Sequence, residues 1–494
     1  MRIAGSVLMS FLLLIAATPV VAEDHFLTIG GGESPTNNQV SLEKNILYLQ
    51  RFLSDSGLGS MAHDIYFANG KDLGRDIQFV DPRTPPPRVN ALLAQIFDRE
   101  ENLDASYRPH SIPGVNGAAN RVGIGRWFET IGPMLHEGDR LFIYFSGHGG
   151  AGKPTRNTTL ALWGEGGMPV KEFVALLDKL DPKVQVVLIM VQCHAGGFAD
   201  VIFKDAQAGT KMSDASRCGF FATSAERMAA GCTSDIDEDN YREYSTYFFA
   251  ALYGRTRTGQ TVRRPDYDGD GHISLCEAHA YVQITSDTID IPVATSDIFL
   301  RSCSKAEKGK AEMVNAEEDV DSLLGLARPE QRAVIEELSK QLELKAEGRM
   351  VETKALADKY DKERKGLDSQ KRKLQRDFGG LRGQIQSTVK QRWPELANPW
   401  HPKIAEILKK EGDDVVKTIE THPKYKRFDE LSHEIDGLDA RNRDLERKWV
   451  KCQRLMQTLQ SVALAGNLER VATPELQEKY KEIIREEGCL LEKK

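Results

Sequence analysis

From residue 26 to about residue 303, short apolar runs alternate with stretches whose apolar residues recur at helical spacing. The apolar runs cover residues 26–29, 64–67, 140–145, 184–191 and 219–223. Helical spacing marks residues 42–53, 122–135, 170–180 and 244–253. Because each run is mostly apolar, its strand is expected to be buried on both faces. The pattern predicts an α/β fold, a three-layer α-β-α sandwich with a mostly parallel sheet.

Beyond Cys303 the sequence becomes rich in Lys, Glu, Arg, Leu and Gln, with few strand-forming residues. A 3-4 alternation of apolar residues predicts a coiled-coil-like helix of about five heptads. Its members are Phe428, Leu431, Ile435, Leu438, Leu445, Trp449, Cys452, Met456 and Leu459. Asn442 occupies the position where the next apolar residue is due. A single polar residue at such a position often fixes helix register.

A second helix of similar length precedes this one along the chain. Its apolar residues are Tyr360, Leu367, Leu374 and Leu381, with Phe378 and Ile385 offset. Prolines between residues 393 and 402 separate the two helices, which predicts an antiparallel hairpin capped by a short helix at 474–487. We interpret this hairpin as a structural arm or an oligomerisation stalk through which the chain forms homo-oligomers. In the alternative, the arm holds the first domain inactive, and deletion after about Ala311 raises activity.

Length and charge limit the organisation further. A chain of 494 residues exceeds one hydrophobic core, and we divide it into domains at 23–303 and 304–494. The net charge of -7, without a long basic run, argues against a nucleic-acid partner. Arg2, the apolar stretch at 7–17 and the small residues at 20–22 predict a secretory signal peptide over 1–22, because about eleven apolar residues are short for a membrane span. The alternative is an uncleaved N-terminal anchor. The mature protein is expected in the periplasm or outside the cell, without a membrane span.

An exported protein meets an oxidising compartment, where thiols tend to pair. The chain has seven cysteines. With Cys193 kept free for chemistry, we expect neighbours along the chain to pair. The expected pairs are Cys218 with Cys232, Cys276 with Cys303, and Cys452 with Cys489.

Two polar motifs directly follow predicted strands. Ser146-Gly147-His148-Gly149-Gly150 follows one, and Gln192-Cys193-His194-Ala195-Gly196-Gly197 follows another. The carboxyl ends of parallel strands line a common crevice. If these two strands are neighbours, His148 and Cys193 lie close together. A thiol beside an imidazole is expected to become a thiolate, the reactive form of cysteine.

The two motifs resemble the catalytic dyad of the caspase-like cysteine peptidases, which include caspases, metacaspases and legumains. The resemblance covers roughly residues 26–300. It implies that Cys193 attacks the carbonyl of a peptide or protein substrate, while His148 acts as acid and base toward the leaving amine. It also implies an oxyanion hole formed by the backbone amides of Gly149 and Cys193. His194 is expected to be structural.

The sequence departs from this family at Val191, where relatives often carry a polar or acidic residue that helps to bind substrate. Gln192, or Ser224 and Glu226 after the next strand, are the alternative candidates for the substrate pocket. Substrate preference is therefore not carried over from the family. The departure also leaves open a non-proteolytic binding or scaffold protein that uses the helical region as an oligomerisation arm.

Residues 266–277 match the twelve-residue loop of an EF-hand. The expected calcium ligands are Asp266, Asp268, Asp270, the carbonyl oxygen of His272, Ser274 through water, and both carboxylate oxygens of Glu277. Gly271 and the apolar Ile273 also fit the pattern. Because Pro265 and a polar run precede the loop, we expect a half EF-hand holding a structural Ca²⁺. In a third interpretation, calcium binding is the main role.

Overall fold

The computed structural model describes residues 22–101, 103–304 and 313–492. Apart from Ala22, the predicted signal peptide lies outside these residues. The chain folds into an α/β domain followed by a long helical region, which confirms the predicted fold class.

The elements follow one another along the chain as two interleaved series. The strands are β1 (Asp24–Gly31), β2 (Ala62–Phe67), β3 (Ile77–Phe79), β4 (Ser106–Arg108), β5 (Val115–Gly117), β6 (Arg140–Gly147), β7 (Gly149–Gly150), β8 (Thr159–Leu160), β9 (Met168–Pro169), β10 (Gln185–Met190), β11 (Arg217–Phe221) and β12 (Val293–Ala294). The α-helices are α1 (Val40–Asp55), α2 (Arg88–Phe97), α3 (Arg121–Thr130), α4 (Val170–Leu177), α5 (Tyr244–Tyr253), α6 (Leu275–Thr285), α7 (Thr295–Cys303), α8 (Val320–Leu326), α9 (Pro329–Gln341), α10 (Arg349–Arg392), α11 (Ile404–Glu420), α12 (Tyr425–Val471) and α13 (Pro474–Glu487).

The main sheet has seven strands in the order β12-β11-β10-β6-β1-β2-β5. Every pairing in it is parallel except that of β12 with β11 at one edge. Side chains alternate between its two faces. Ile143 and Phe145 of β6 pack with α3, α4 and α7, whereas Phe142 and Tyr144 pack with α1, α5 and α6. Both faces are therefore covered, as the mostly apolar strands predicted.

Two features of this domain differ from the sequence pattern or were not predicted by it. Helix α3 ends at Thr130, and the following Gly132–Met134 segment is a 3-10 turn, because Pro133 cannot continue the helical hydrogen bonding. Between β2 and β5 the chain makes an excursion that contains β3, α2 and β4. The strands of this excursion are too short to give a periodic pattern.

Helices α10 and α12 form the predicted antiparallel hairpin. Phe378 stacks on Phe428 with ring centroids 4.4 Å apart. Further along, Asn442 accepts a hydrogen bond from Nε of Arg364 and donates one to Asp368. The polar position in the heptad seam thus ties the two helices together at one register. Helix α11, at the turn of the hairpin, was not predicted.

The hairpin packs against the α/β domain at both of its ends. Near its base, α12 shares an apolar cluster with α6 and α9, and Ile483 of α13 joins the main core. At its far end, a second cluster joins the hairpin to α2. Its buried members are Leu92, Ile96, Phe97, Ile385, Val389, Trp393, Leu396, Ile407, Val415, Ile419 and Phe428.

Within the described ranges no helix is both long and apolar enough to cross a bilayer.

The expected disulfide pairing is wrong: all seven cysteines are free thiols. Neighbours along the chain are separated by the fold. Cys218 lies within β11 and is buried in the core, whereas Cys232 packs with a different apolar cluster at the start of α1. Burial raises the pKa of the Cys218 thiol, and Cys489 and Cys276, both distant along the chain, lie close enough to raise it further.

Candidate active site

His148 follows β6 directly, and its imidazole is oriented by two oxygen atoms. Nε2 lies 2.9 Å from the main-chain oxygen of Asn37 and 2.9 Å from Oε1 of Gln39. A carbonyl oxygen only accepts hydrogen bonds, so Nε2 must carry the proton. In the neutral ring, this tautomer leaves Nδ1 unprotonated and able to act as a base.

Cys193 follows β10 and is partly buried. The backbone N–H of Ala229 donates to its Sγ at 3.3 Å, and the main-chain oxygen of Ala229 lies 3.9 Å from the same atom. Burial raises the pKa of the Cys193 thiol, the hydrogen bond from the backbone of Ala229 lowers it in part, and Asp290 raises it. The net direction is upward, which favours the thiol form of the resting sulfur over the expected thiolate.

The two residues lie at the same edge of the sheet, because β6 and β10 are parallel neighbours with Phe145 opposite Met190. Their loops touch. A Cβ atom at Gly149 would lie 2.2 Å from the main-chain oxygen of Cys193 and 2.5 Å from Cγ of Gln192. Only glycine fits this contact. Among the described residues, the hydrogen bonds of His148 and Cys193 go to other partners and not to each other.

His194 holds the loop that carries Cys193. It adopts a left-handed conformation with φ of 60°. Its Nδ1 lies 2.9 Å from the main-chain oxygen of Ala225, and its backbone N–H donates to the main-chain oxygen of Arg227. These contacts join the loops after β10 and β11, as expected for a structural residue.

The three candidate pocket residues have different surroundings. Gln192 is only 1% exposed, and neither atom of its amide has a hydrogen-bonding partner. It lies beneath the Gly149 loop. Ser224 is half-buried and Glu226 is exposed, both on the turn after β11. Only the latter two side chains are open to a ligand from solvent.

Sequence reasoning missed the residues that orient the dyad. Asn37 belongs to the 3-10 turn Pro35–Asn37 after β1, and Gln39 immediately precedes α1. One signal was present in the glycine run after β1. A Cβ at Gly32 would lie 1.8 Å from the Asn37 oxygen, so the turn that orients His148 requires glycine there.

The predicted calcium loop is formed as a compact turn before α6. Asp266, Asp268 and Asp270 offer carboxylate oxygens that all lie within 4.8 Å of one another. Hard oxygen ligands of this kind suit Ca²⁺. The backbone N–H groups of Gly269 and Gly271 donate to the carboxylate of Asp266, which fixes the shape of the loop.

Glu277 departs from the predicted calcium-binding role. Its Oε1 accepts hydrogen bonds from the backbone of Tyr267 and Asp268. Its Oε2 accepts from the backbone and hydroxyl of Ser274. A carboxylate has about four acceptor positions, so the loop and the capping box of α6 already use them. The chain's fit to calcium therefore depends on the three aspartates. The side chain of His272 contacts the C-terminal tail, where its Nδ1 lies 2.8 Å from Oε1 of Glu492.

Comparisons with known proteins add little to this picture. No protein-family model matches the chain, and no curated protein matches it. The chain is similar to a solved structure from Geobacter sulfurreducens, protein GSU0716, at 13% identity and a TM-score of 0.27. That match covers 52% of this chain and 88% of the other. A likeness of this degree supports no statement about fold or function.

Proposed function

We propose that the protein is a cysteine-type endopeptidase of the caspase-like kind, with Cys193 as nucleophile and His148 as acid-base residue. The observation that carries this proposal is the contact between the loops that follow β6 and β10. At this contact a thiol and an imidazole, whose Nδ1 is unprotonated in the neutral form, share one edge of a parallel sheet. Ligand crevices form at such edges. The family resemblance of the two motifs supports the same assignment.

The chemistry then begins from a neutral pair. Sγ of Cys193 bonds to the scissile carbonyl carbon while its proton passes to His148, whose Nδ1 is unprotonated. The backbone amides of Gly149 and Cys193 stabilise the oxyanion, and one such donor contributes about 3 kcal/mol to transition-state stabilisation. The protonated imidazole gives its proton to the leaving amine as the scissile C–N bond breaks. The acyl part of the substrate then remains on Cys193 as a thioester. Water, deprotonated by His148, then hydrolyses the thioester.

A panel of labelled peptide aldehydes and chloromethylketones tests this proposal on the native, calcium-loaded protein. We expect at least one probe to label Cys193, and we expect Cys193→Ala and His148→Ala to abolish labelling. Cys303→Ala is the matched control, because that half-exposed thiol lies at the end of α7. Labelling that survives His148→Ala would contradict the dyad.

The competing proposal is a non-proteolytic binding or scaffold protein. The observation in its favour is that neither Gln192 nor any other assigned pocket residue presents a buried carboxylate to a substrate side chain. Incubation with a random peptide library decides between the two. Cleavage with a preferred residue before the cut supports the peptidase. Intact peptides in a preparation that also resists every probe support the scaffold.

We further propose that the loop at 266–277 binds a structural Ca²⁺ through Asp266, Asp268 and Asp270. Calorimetry tests it best with Asp270→Asn, because Glu277→Gln would also disturb the capping box of α6. We expect wild type to release heat with Ca²⁺ and the Asp270→Asn variant to bind much more weakly. Asp214→Asn, another exposed acid, should behave as wild type. Identical calcium heats in Asp270→Asn and wild type would contradict the site.

Export is the remaining part of the proposal. A signal peptide over residues 1–22 predicts that the mature chain begins at Glu23, ahead of β1. N-terminal sequencing of the protein purified from the periplasm or the medium checks this directly. A chain that retains Met1 in the cell interior would contradict it.

A further inference from the structure

Residues 227–233, which we call the strap, run across the nucleophile. The N–H and oxygen of Ala229 both lie against Sγ of Cys193. Next to it, the backbone N–H of Ala230 donates to Asp290 at 2.6 Å. At the far end, Thr233 exchanges hydrogen bonds with Ser41 at the start of α1. The strap is therefore fastened on both sides of the sulfur.

The helical arm holds the strap at its first residue. Nη2 of Arg227 donates to Oε1 of Glu446 on α12 at 3.0 Å, and its guanidinium stacks over the ring of Trp449 at 5.2 Å. Arg227 is about one quarter exposed in this contact. A partly desolvated ion pair combined with a cation–π contact is stronger than an exposed salt bridge.

The arm itself is fastened at two distant places, so it acts on the strap from a fixed position. At the hairpin turn, Arg88 of α2 binds Glu420 at 3.0 Å beside the apolar cluster that α2 shares with the hairpin. Toward the base, Arg454 is buried among main-chain oxygens of residues 283–290. Glu446, the partner of Arg227, lies between these two anchors along the chain.

We propose that the arm is an autoinhibitory clamp that keeps the strap closed over Cys193. The clamp rests on the proposed function, because it regulates the same thiol. Release of Arg227 from Glu446 and Trp449 removes the hold of the arm on the first residue of the strap, which keeps its main-chain bond to His194. Ala229 then leaves Sγ, and a substrate carbonyl takes its place. The contact with Ala229 of the strap also accounts for the partial burial of the Cys193 thiol.

The rate of alkylation of Cys193 by iodoacetamide tests the clamp without relying on peptidase activity. The full-length protein is alkylated, and peptide mass spectrometry separates Cys193 from the other six thiols. We expect the Glu446→Gln/Trp449→Ala variant to alkylate at Cys193 roughly tenfold faster, corresponding to about 1.4 kcal/mol. Arg227→Gln removes the same contact from the other side and should give a similar increase without changing the arm.

Glu434→Gln is the matched control, because Glu434 lies on the same helix and pairs only with Arg427 among the described ion pairs. It should alkylate as wild type. Unchanged or slower alkylation of Cys193 in both contact variants would overturn the clamp, even if the wild type cleaves peptides. Faster alkylation without any peptide cleavage would support the clamp and contradict the proposed peptidase instead.

Discussion

The guanidinium of Arg454 donates a hydrogen bond of 2.8 Å to the main-chain oxygen of Asp290. Its other N–H groups bind oxygen atoms of residues 283–288. The carboxylate of Asp290 in turn accepts from Ala230 in the strap, and burial raises its pKa to about 7. A single side chain of the helical region thus supports the loop that lies next to Cys193.

Replacement of Arg454 should destabilise the protein even when the positive charge is kept. In Arg454→Lys one compact ammonium group replaces a planar fork that serves several oxygens. We expect the free energy of unfolding to fall by about 2–3 kcal/mol, because buried carbonyl groups lose their donors. Urea unfolding measures the change. Arg443→Lys, at an exposed position of the same helix, should stay within about 0.5 kcal/mol of wild type.

Gly149→Ala should disable the site by steric overlap. The new Cβ would collide with the main chain at Cys193 and push the loops after β6 and β10 apart. We expect a stability loss of about 1–3 kcal/mol and loss of probe labelling at Cys193. Gly166→Ala is the control, because a Cβ there meets no atom within 4 Å. Equal labelling of both variants would contradict the tight contact between the loops.

The end of the hairpin offers a paired test of its docking. Phe428 is fully buried between α2 and the hairpin, whereas Trp400 is 89% exposed. Phe428→Ala should cost about 3–5 kcal/mol of local stability and expose the hairpin turn to limited proteolysis. Trp400→Ala should leave both the thermal unfolding and the proteolytic pattern unchanged. A similar pattern for the two variants would show that α2 does not hold the hairpin.

The stability of the C-terminal helix should depend on pH. Burial raises the pKa of Glu486 and of Glu487 to about 7. Their unfolded values are near 4.5, so the folded state retains protons that the unfolded state has released. This contribution to stability is complete below pH 4.5 and is lost as pH rises through 7.

Thermal unfolding between pH 5 and 8 checks this sign. The wild-type melting temperature should fall over this range more than that of the Glu486→Gln/Glu487→Gln variant. Groups such as Asp290 are shared by both proteins, so they cancel in the comparison. Glu478→Gln, at an exposed position of α13, should follow wild type. Parallel curves for all three proteins would contradict the assignment.

Local patterns were sufficient for the layers of the fold and for the position of the two polar motifs at the strand ends. The run at 140–145 is apolar on both sides, so it had to be a buried strand, and His148 had to follow its carboxyl end. The hairpin of α10 and α12 was equally predictable from its heptads. The compact loop at 266–277 was also predictable, but the sequence did not show that both carboxylate oxygens of Glu277 accept hydrogen bonds within this loop.

The sequence by itself determined where strands, helices and reactive side chains stand along the chain, because backbone periodicity and turn residues act over a few positions. Only the tertiary structure decided which distant groups meet. Asn37 orients His148 across 111 positions, and Arg227 meets Glu446 across 219. Contacts of this separation depend on how whole elements pack, and no periodic pattern in either segment encodes its partner. The predicted disulfide pairs were wrong for the same reason, because closeness along the chain does not determine which cysteines meet in the fold.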